Sequence, residues 1–219
     1  MFATLLQNLD FQGEEAAPLQ GRGAVTRQRV IDAAVSIFAI KGYQQATTHE
    51  IARAAKTNQG LITYHFGSKL NLWKEVIDNE VGRFRRYFAG QLRLAGDGDR
   101  RAFFARAVAA FVQWTGRNPD ATRLLIEANR TGSEVSGWCA ERHMKPIYGV
   151  FSALIAEGQR AGFVRDGEVI HLYYQIISTA MVFTIPDEVR LLSGRETCSD
   201  EFIEAQAAIL TAMILKAPA

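Results

Sequence analysis

Residues 47–69 read T-T-H-E-I-A-R-A-A-K-T-N-Q-G-L-I-T-Y-H-F-G-S-K, and this stretch decides the predicted fold. Thr47 and Glu50 have the spacing of a capping box, in which each side chain satisfies a backbone amide of the other residue. Asn58 is a favourable N-cap for a second short helix. The stretch therefore predicts two short helices joined by a tight turn, with a further helix starting after Ser68.

The second of these short helices is expected to have one apolar and one polar face. Leu61, Ile62 and Phe66 recur at helical spacing and are expected to pack inward. The outer face then carries hydrogen-bonding and aromatic side chains with little formal charge, which suits base edges in the major groove of DNA. The predicted DNA-binding residues are Thr47, Thr48, Lys56, Gln59, Gly60, Thr63, Tyr64, His65 and Lys69.

Two of these positions have particular physical reasons. Gly60 lies in the first turn of its helix, where the missing side chain lets the backbone approach a partner surface closely. Lys69 begins the next helix, where free amides and an ammonium group together favour a phosphate oxygen. Lys69 is therefore expected to position the protein on the DNA backbone.

From Thr26 to about Trp73 the chain resembles the DNA-binding domain of the TetR family of transcriptional repressors. The matching pieces are R-x-R-V-I-D-A-A-x-x-I-F-A-x-K-G-Y from Arg27, T-T-x-E-I-A from Thr47 and Q-G-L-I-T-Y-H-F-G-S-K from Gln59. The match spans the whole three-helix unit at consistent spacing. The resemblance implies a DNA-binding regulator with an effector pocket in a C-terminal helical domain.

Two positions depart from the family pattern. Lys56 stands in the turn where the family often has Gly, and Thr63 stands where the family often has Tyr. Both departures are compatible with the fold, and they bear on which side chains make individual DNA contacts.

Charge is unevenly distributed along the 219 residues, whose formal net charge is only +2. Residues 22–75 carry 8 basic and 3 acidic residues, a net of +5, whereas residues 76–219 carry 17 of each. The cationic excess therefore coincides with the helix-turn-helix. This asymmetry favours a polyanionic partner for the first third of the chain and a neutral partner for the rest.

Composition favours a globular protein of the cytoplasm. Hydrophobic residues make up 48% and charged residues 22%, which is ordinary for a soluble globular chain. Cys139 and Cys198 are too few for a disulfide framework, and residues 1–9 lack the basic start of a secretory signal. No apolar run approaches the roughly 20 residues that a membrane span requires.

The whole chain is predicted to be all-α, with about nine helices in three regions: an N-terminal arm over residues 1–23, a helix-turn-helix DNA-binding domain over 24–70, and an effector-binding and dimerisation domain over 71–219. In the arm, Arg22 is expected either to touch DNA or to lie in a solvated tail. The first helix should run from Thr26 to a stop at Gly42. Later helices are expected over about 68–94, 102–114, 119–126, 133–161 with a break at Pro146, 167–184 and 199–216.

Aromatic and basic residues of the C-terminal region leave two alternatives open. The aromatic stripe forms either ordinary core or a ligand cavity, and the family resemblance favours the cavity. Arg83, Arg85 and Arg86 form either a second nucleic-acid patch or a solvated face. The candidate effector-binding residues are Phe104, Phe111, Trp114, Trp138, Tyr148 and Tyr174.

The last helix is expected to form a homodimer interface. Between Ala205 and Leu215 only Gln206 and Thr211 are polar, so this helix needs cover on more than one side. A second copy of the chain would supply that cover through a four-helix arrangement of the last two helices. The helix-turn-helix domain of each subunit, here called its reading head, would then meet one of two half-sites about 34 to 36 Å apart in successive major grooves.

No enzymatic activity, cofactor or metal is predicted. Phosphate-binding loops, dinucleotide fingerprints, zinc-protease and nucleophile-elbow motifs are absent from the sequence. Cys139 and His143 lie one helical turn apart, but a packed thiol and an ordinary histidine are favoured over a metal site. The sequence thus predicts a ligand-responsive repressor of a palindromic operator. The alternatives are a helical ligand-binding protein or enzyme with a merely structural N-terminal domain, and an architectural DNA binder without an effector.

Overall fold

The computed structural model describes residues 22–95, 98–130 and 134–217, and these residues are mostly helical, which confirms the all-α prediction. A π-helical turn (Ala140–Met144) joins α7 to α8, and a 3-10 turn (Thr179–Thr184) follows α9. In chain order the helices are α1 (Arg22–Gln45), α2 (Thr48–Ala54), α3 (Gln59–Phe66), α4 (Lys69–Ala95), α5 (Arg100–Arg117), α6 (Pro119–Arg130), α7 (Glu134–Cys139), α8 (Lys145–Arg160), α9 (Val169–Ser178), α10 (Pro186–Ser193) and α11 (Asp200–Ile214).

Helix α1 begins earlier than the sequence predicted, at Arg22 instead of Thr26. Its predicted stop at Gly42 is confirmed as a kink, because this residue has φ 71 and ψ 168, and one further turn follows to Gln45. Residues 1–21 of the predicted arm and the side chain of Arg22 lie outside what the structure describes.

The three N-terminal helices close around a small apolar core. Phe38 of α1, Ile51 of α2 and Ile62 of α3 are each at most 2% exposed. Trp73 of α4 completes this core, with its ring edge-on to Phe38 at a centroid distance of 4.8 Å. A unit of this size has only a small apolar core, so the packing of Trp73 from α4 adds to the stability of the helix-turn-helix.

Helix α4 connects that head to the rest of the chain. Its 27 residues extend roughly 40 Å at about 1.5 Å per residue. Two of the three guanidinium groups in the cluster Arg83, Arg85 and Arg86 have partners within the protein, which favours a solvated face with ion pairs over a second nucleic-acid patch. Arg83 Nη1 binds both carboxylate oxygens of the buried Glu80, and Arg85 Nη2 reaches the carbonyl of Arg142. The buried stripe of α4 includes Leu72, Trp73, Val76, Ile77, Val81, Phe84 and Phe88.

Two C-terminal segments differ from the prediction. The break expected at Pro146 lies just before it, as the π-helical turn. The linker predicted between the last two helices contains α10, which Pro186 opens and Gly194 ends in a left-handed conformation. Helix α10 buries none of its residues, and its 8 residues are too few for a sequence pattern to distinguish it from a linker.

Helix α11 is joined to the segments that flank α9 and packs chiefly on α5. Before α9, the amide of Arg165 donates to the carbonyl of Ile214 at 2.9 Å, and the amide of Lys216 donates to the carbonyl of Phe163 at 2.9 Å. After α9, the rings of Phe183 and Phe202 lie 6.3 Å apart. These contacts fix both ends of α11 against the C-terminal domain.

Hydropathy gives no single membrane-spanning helix among the residues described. The segments Val169–Thr184 and Pro186–Ser193 meet the length and composition required only as a pair, and they are bent by 80° to each other.

Candidate nucleic-acid interface

The two short helices of the turn are fixed by their N-caps. The Thr47 hydroxyl accepts from the amide of Glu50 at 3.2 Å, and the Glu50 carboxylate accepts from the amide of Thr47 at 3.2 Å, which confirms the capping box. Asn58 Oδ1 accepts from the amide of Leu61 at 2.9 Å and caps α3. These bonds set where α2 and α3 begin and therefore how they cross.

The Glu50 carboxylate also accepts a hydrogen bond from Lys41 of α1. The hydrogen bond from Lys41, followed by those from Thr47, lowers the pKa of Glu50 to about 2. This ion pair ties the start of α2 to the end of α1. It also neutralises one of the cations that the sequence placed in the reading head.

The turn between α2 and α3 contains a strained residue. Lys56 has φ 51, and among the residues that the structure describes no other non-glycine residue has a positive φ. An L-residue in this conformation costs roughly 1 to 2 kcal/mol, which explains why glycine suits this position. The Lys56 side chain is exposed, so its ammonium is available to a phosphate.

The outer face of α3 is the most accessible polar surface of the turn. Tyr64 is 81% exposed, and Gln59, Gly60 and Thr63 are exposed beside it. His65 is half-buried, with its ring 5.2 Å from that of Tyr64. The face predicted for DNA contact thus lies on the surface, where a groove can receive it.

The inner face of α3 differs from the prediction at one position. Ile62 and Phe66 are 2% and 4% exposed, as expected. Leu61 was predicted to pack inward, but it is 37% exposed, because it precedes the buried Ile62 by one position and so lies about 100° away around the helix. Leu61 therefore adds an apolar contact to the outer surface.

Hydrogen bonds fix the polar side chains of this face. Gln59 Nε2 donates to the Thr48 hydroxyl at 3.0 Å, which bridges the starts of α3 and α2. The Thr63 hydroxyl donates to the carbonyl of Gln59 at 3.3 Å. Thr48 and Thr63 are thereby oriented before any partner arrives, which reduces the entropy lost on binding.

The structure gives Lys69 a different role from the one predicted. Its ammonium donates to the carbonyls of Tyr43, Gln44 and Ala46 at 2.8, 3.3 and 3.0 Å, and lies 4.5 Å from the centre of the Tyr43 ring. Three donors are all that an ammonium has. Lys69 therefore joins α4 to the end of α1, and a phosphate contact would require these bonds to break.

Two other cations of the helix-turn-helix differ in whether they are already paired. Arg27 is paired with Glu75 and lies against the Phe66 ring. Arg53, in the last turn of α2, is exposed and stands near the turn that carries Lys56. Sequence reasoning did not select Arg53, although its position opposite the buried pair Ile51 and Ala52 marks it as outward-facing.

Three of the candidate effector-binding residues, Phe111, Trp114 and Tyr148, belong to one aromatic cluster that runs through Phe84, Phe151 and Tyr173, whereas Phe104 and Trp138 make ring contacts elsewhere. Phe111 and Trp114 are buried against Phe84, at centroid distances of 6.2 and 5.1 Å. Phe104 meets Phe163, Trp138 meets His143, and Tyr148 meets Tyr173. Tyr174 was expected to line an interior pocket but is 59% exposed on α9, because it follows the buried Tyr173 by one helical position.

An open groove of about 850 Å³ lies between α5 and α11. Alanine side chains form much of its lining, including Ala105, Ala109 and Ala208, and Arg106 and Arg165 lie at its edge. It shares none of the predicted effector-binding residues.

Possible metal ligands are not clustered within residues 22–95, 98–130 and 134–217. No group of three or more His, Cys, Asp or Glu residues in these ranges is placed to bind a metal ion. Burial raises the pKa of the Cys139 thiol to about 11, so the thiol is protonated at neutral pH. His143 faces Asp78 at 2.8 Å instead of a second sulfur or nitrogen ligand.

An all-helical chain whose capped, exposed helix α3 follows a tight turn from α2 is a helix-turn-helix DNA-binding transcriptional regulator. Residues 30–76 match the family model described as bacterial regulatory proteins, tetR family. This part of the chain therefore carries a DNA-binding domain of the tetR type.

Relatives extend the likeness beyond the reading head. Over 162 residues the chain is 29% identical to the HTH-type transcriptional repressor NicS of Pseudomonas putida, covering 70% of this chain and 73% of NicS. Over 52 residues it is 42% identical to the HTH-type transcriptional regulator SrpR of Pseudomonas putida, covering 24% of each chain. The crystal structure of the regulator FadR from Bacillus subtilis in complex with stearoyl-CoA has the same fold, with a TM-score of 0.65 at 18% identity over 85% of this chain and 98% of FadR.

Replacing Glu50 tests the capping box through its pH dependence. A carboxylate whose pKa falls from 4.5 to about 2 on folding stabilises the protein above its unfolded pKa and loses that contribution as pH falls toward 2. We expect Glu50→Gln to lower the melting temperature at pH 7, and the gap from the unmodified protein to close between about pH 5 and 2. Thermal unfolding by circular dichroism measures this gap, and a gap independent of pH would contradict the assignment.

Replacing Lys69 separates its structural role from a phosphate contact. Lys69→Met keeps the alkyl stem but leaves three carbonyls without their donor, so we expect a loss of about 1 to 3 kcal/mol in the free energy of unfolding. The slope of log affinity for DNA against log salt should stay unchanged. The matched control Lys56→Met should leave stability unchanged and reduce that slope by about one. Urea unfolding and DNA titrations at several salt concentrations give both quantities, and a reduced slope in Lys69→Met would restore the phosphate role.

Proposed function

We propose that the protein is a ligand-responsive transcriptional repressor that binds a palindromic operator as a homodimer and leaves it when a small molecule binds. The observation that carries this proposal is the exposed polar face of α3 on a helix fixed by its own N-cap. The identity of the relative NicS as a repressor favours repression over activation. The site of action would be the bacterial cytoplasm, where operator DNA is found.

Within the operator, the proposal divides the contacts into two groups. Gln59, Thr63 and Tyr64 are assigned to base edges because their side chains carry hydrogen-bonding groups without formal charge. Lys56 and Arg53 are assigned to phosphates because they are exposed cations beside α3. Residues 24–70 would act as the reading head, with residues 71–219 holding the effector and the dimer contact.

The proposed dimer contact is formed by exposed apolar side chains of α9, the 3-10 turn and α11. On α9 and the 3-10 turn, Ile170, Tyr174 and Met181 are 36%, 59% and 46% exposed. On α11, Ile209 and Met213 are 57% and 58% exposed. Exposed apolar side chains of this size are typical of a protein interface when they lie together, and a two-fold axis lets such a surface cover its own copy.

Small alanines between the larger side chains favour close helix packing at this surface. Ala205, Ala208 and Ala212 are exposed on the same side of α11 as Ile209 and Met213. A four-helix contact would then place α9 and α11 of one subunit against the same helices of its partner.

Effector control is proposed as a population shift between two arrangements of the dimer. A small molecule releases DNA only if it binds the DNA-incompetent arrangement more tightly than the competent one. The aromatic residues Phe104, Phe111 and Trp114, which are buried, and Trp138 and Tyr148, which are partly buried, remain our candidates for its site. The stearoyl-CoA bound by FadR supports a small-molecule effector for this chain.

Truncating Tyr64 tests the reading face. The operator is first selected by sequencing the genomic fragments that the protein retains. Because Tyr64 is 81% exposed, Tyr64→Ala should leave the melting temperature unchanged. We expect its operator affinity to fall by a factor of about 5 to 150, equivalent to about 1 to 3 kcal/mol.

The matched control for Tyr64 is Ile40→Ala, because Ile40 is 76% exposed on α1 and lies off the reading face. Fluorescence anisotropy with the selected operator compares the two variants. Equal affinity of Tyr64→Ala and Ile40→Ala would contradict the assignment of α3 to the bases.

Charging the proposed dimer surface tests the assembly. The double change Ile209→Glu and Met213→Glu places four carboxylates at a two-fold contact, so we expect a monomer with weakened operator binding. Leu94→Glu is the control, because Leu94 is 74% exposed on α4, outside the surface formed by α9 and α11. Sedimentation velocity gives the mass in solution, and a double variant that sediments as a dimer would rule out this surface.

A further inference from the structure

Pro146 leaves one backbone carbonyl without its usual helical donor at the junction of α7 and α8. Proline has no amide hydrogen, so the carbonyl of Arg142, one turn earlier, cannot receive the usual helical bond. The amide of Lys145 donates instead to Ala140, which widens the turn into the π-helical segment Ala140–Met144. Single π turns inside helices are frequent at functional sites.

Helix α4 supplies the partners for this turn. Asp78 Oδ1 lies 2.8 Å from Arg142 Nε and 2.8 Å from His143 Nε2. Arg85 Nη2 donates to the carbonyl of Arg142 at 3.4 Å and lies 3.4 Å from His143 Nδ1. We call these four residues, Asp78, Arg85, Arg142 and His143, the π-turn joint.

The charges of the joint depend on Asp78. Partial burial on its own would raise the pKa of Asp78, but hydrogen bonds from His143 and Arg142 and the charge of Arg142 lower it overall. Asp78 is therefore an anion at neutral pH. Burial, followed by the nearby Arg142, lowers the pKa of Arg85. Asp78 therefore supplies negative charge next to the guanidinium groups of Arg142 and Arg85.

Contacts of the Trp138 ring extend the joint along α4. His143 is 3% exposed and packs edge-on against Trp138 at 5.3 Å. Lys74 of α4 lies 5.4 Å above the Trp138 ring. The α7–α8 junction thus contacts α4 from Lys74 to Arg85, immediately after the turns that pack on the reading head through Trp73.

We propose that the π-turn joint sets the angle of α4 against the C-terminal helices, and thereby the separation of the two reading heads in the dimer. Asp78, Arg142 and His143 are positioning residues, because they act on DNA through α4 and not by contact. This inference rests on the proposed homodimeric, DNA-binding function. A ligand that moves α8 would change the separation of the two reading heads through this joint.

The test measures the distance between heads directly. A nitroxide label at Ile40→Cys, in a Cys198→Ser background, reports the distance between the two α1 helices by pulsed electron spin resonance. Cys139 is buried and its thiol is protonated at neutral pH, so it does not compete for the label. The variant is Asp78→Asn, which keeps the shape of the side chain and removes its charge.

Asp78→Asn is expected to shift or broaden the distance distribution by at least about 2 Å. Operator affinity should fall about tenfold, while sedimentation still shows a dimer. The control Asp166→Asn breaks the ion pair of Asp166 with Lys216, far from α4 in the sequence and in its contacts, and should change neither quantity. Arg142→Gln, at a side chain 49% exposed, provides a second variant if Asp78→Asn does not fold.

The outcomes separate the two levels of the proposal. An unmodified protein that forms no dimer or binds no operator overturns the proposed function and the joint with it. An unmodified protein that does both, with joint variants that keep its distance distribution and its affinity, overturns the joint alone.

Discussion

The structure depends on holding two very short helices in fixed positions while one face stays exposed. Helices α2 and α3 have 7 and 8 residues, and isolated helices shorter than roughly 12 to 15 residues are marginal in water. Their stability comes from the caps at Thr47 and Asn58 and from burial of Ile51, Ile62 and Phe66. Because these interactions use only one side of α3, its other side is left for a partner.

Helix α4 extends that constraint to the whole molecule. Lys69 ties its first turn to the end of α1, and Trp73 packs against Phe38 in the reading head. Farther along, Asp78 and Arg85 tie it to the π-helical turn before α8. Any change in the C-terminal helices that moves α8 therefore acts on α4, which is the direct covalent continuation of the helix-turn-helix.

Much of this arrangement could be predicted from local signals in the sequence. The capping box, the Gly42 stop, the Pro119 start and the apolar stripe of α4 depend on neighbouring residues, and each is present. The role of Lys69 could not be predicted, because its acceptors are carbonyls of α1 more than twenty positions earlier. The grouping of the aromatic candidates could not be predicted either, because Phe111 and Tyr148 are linked through Phe151 and Tyr173, and these tertiary contacts cannot be read from spacing along one helix.

A crystal structure with the selected operator would test the central claim most directly. The account predicts α3 of each subunit in successive major grooves, with side chains of Gln59, Thr63 and Tyr64 within hydrogen-bonding or van der Waals distance of base edges. A complex in which these side chains face solvent, while another surface of the protein carries the DNA, would contradict it.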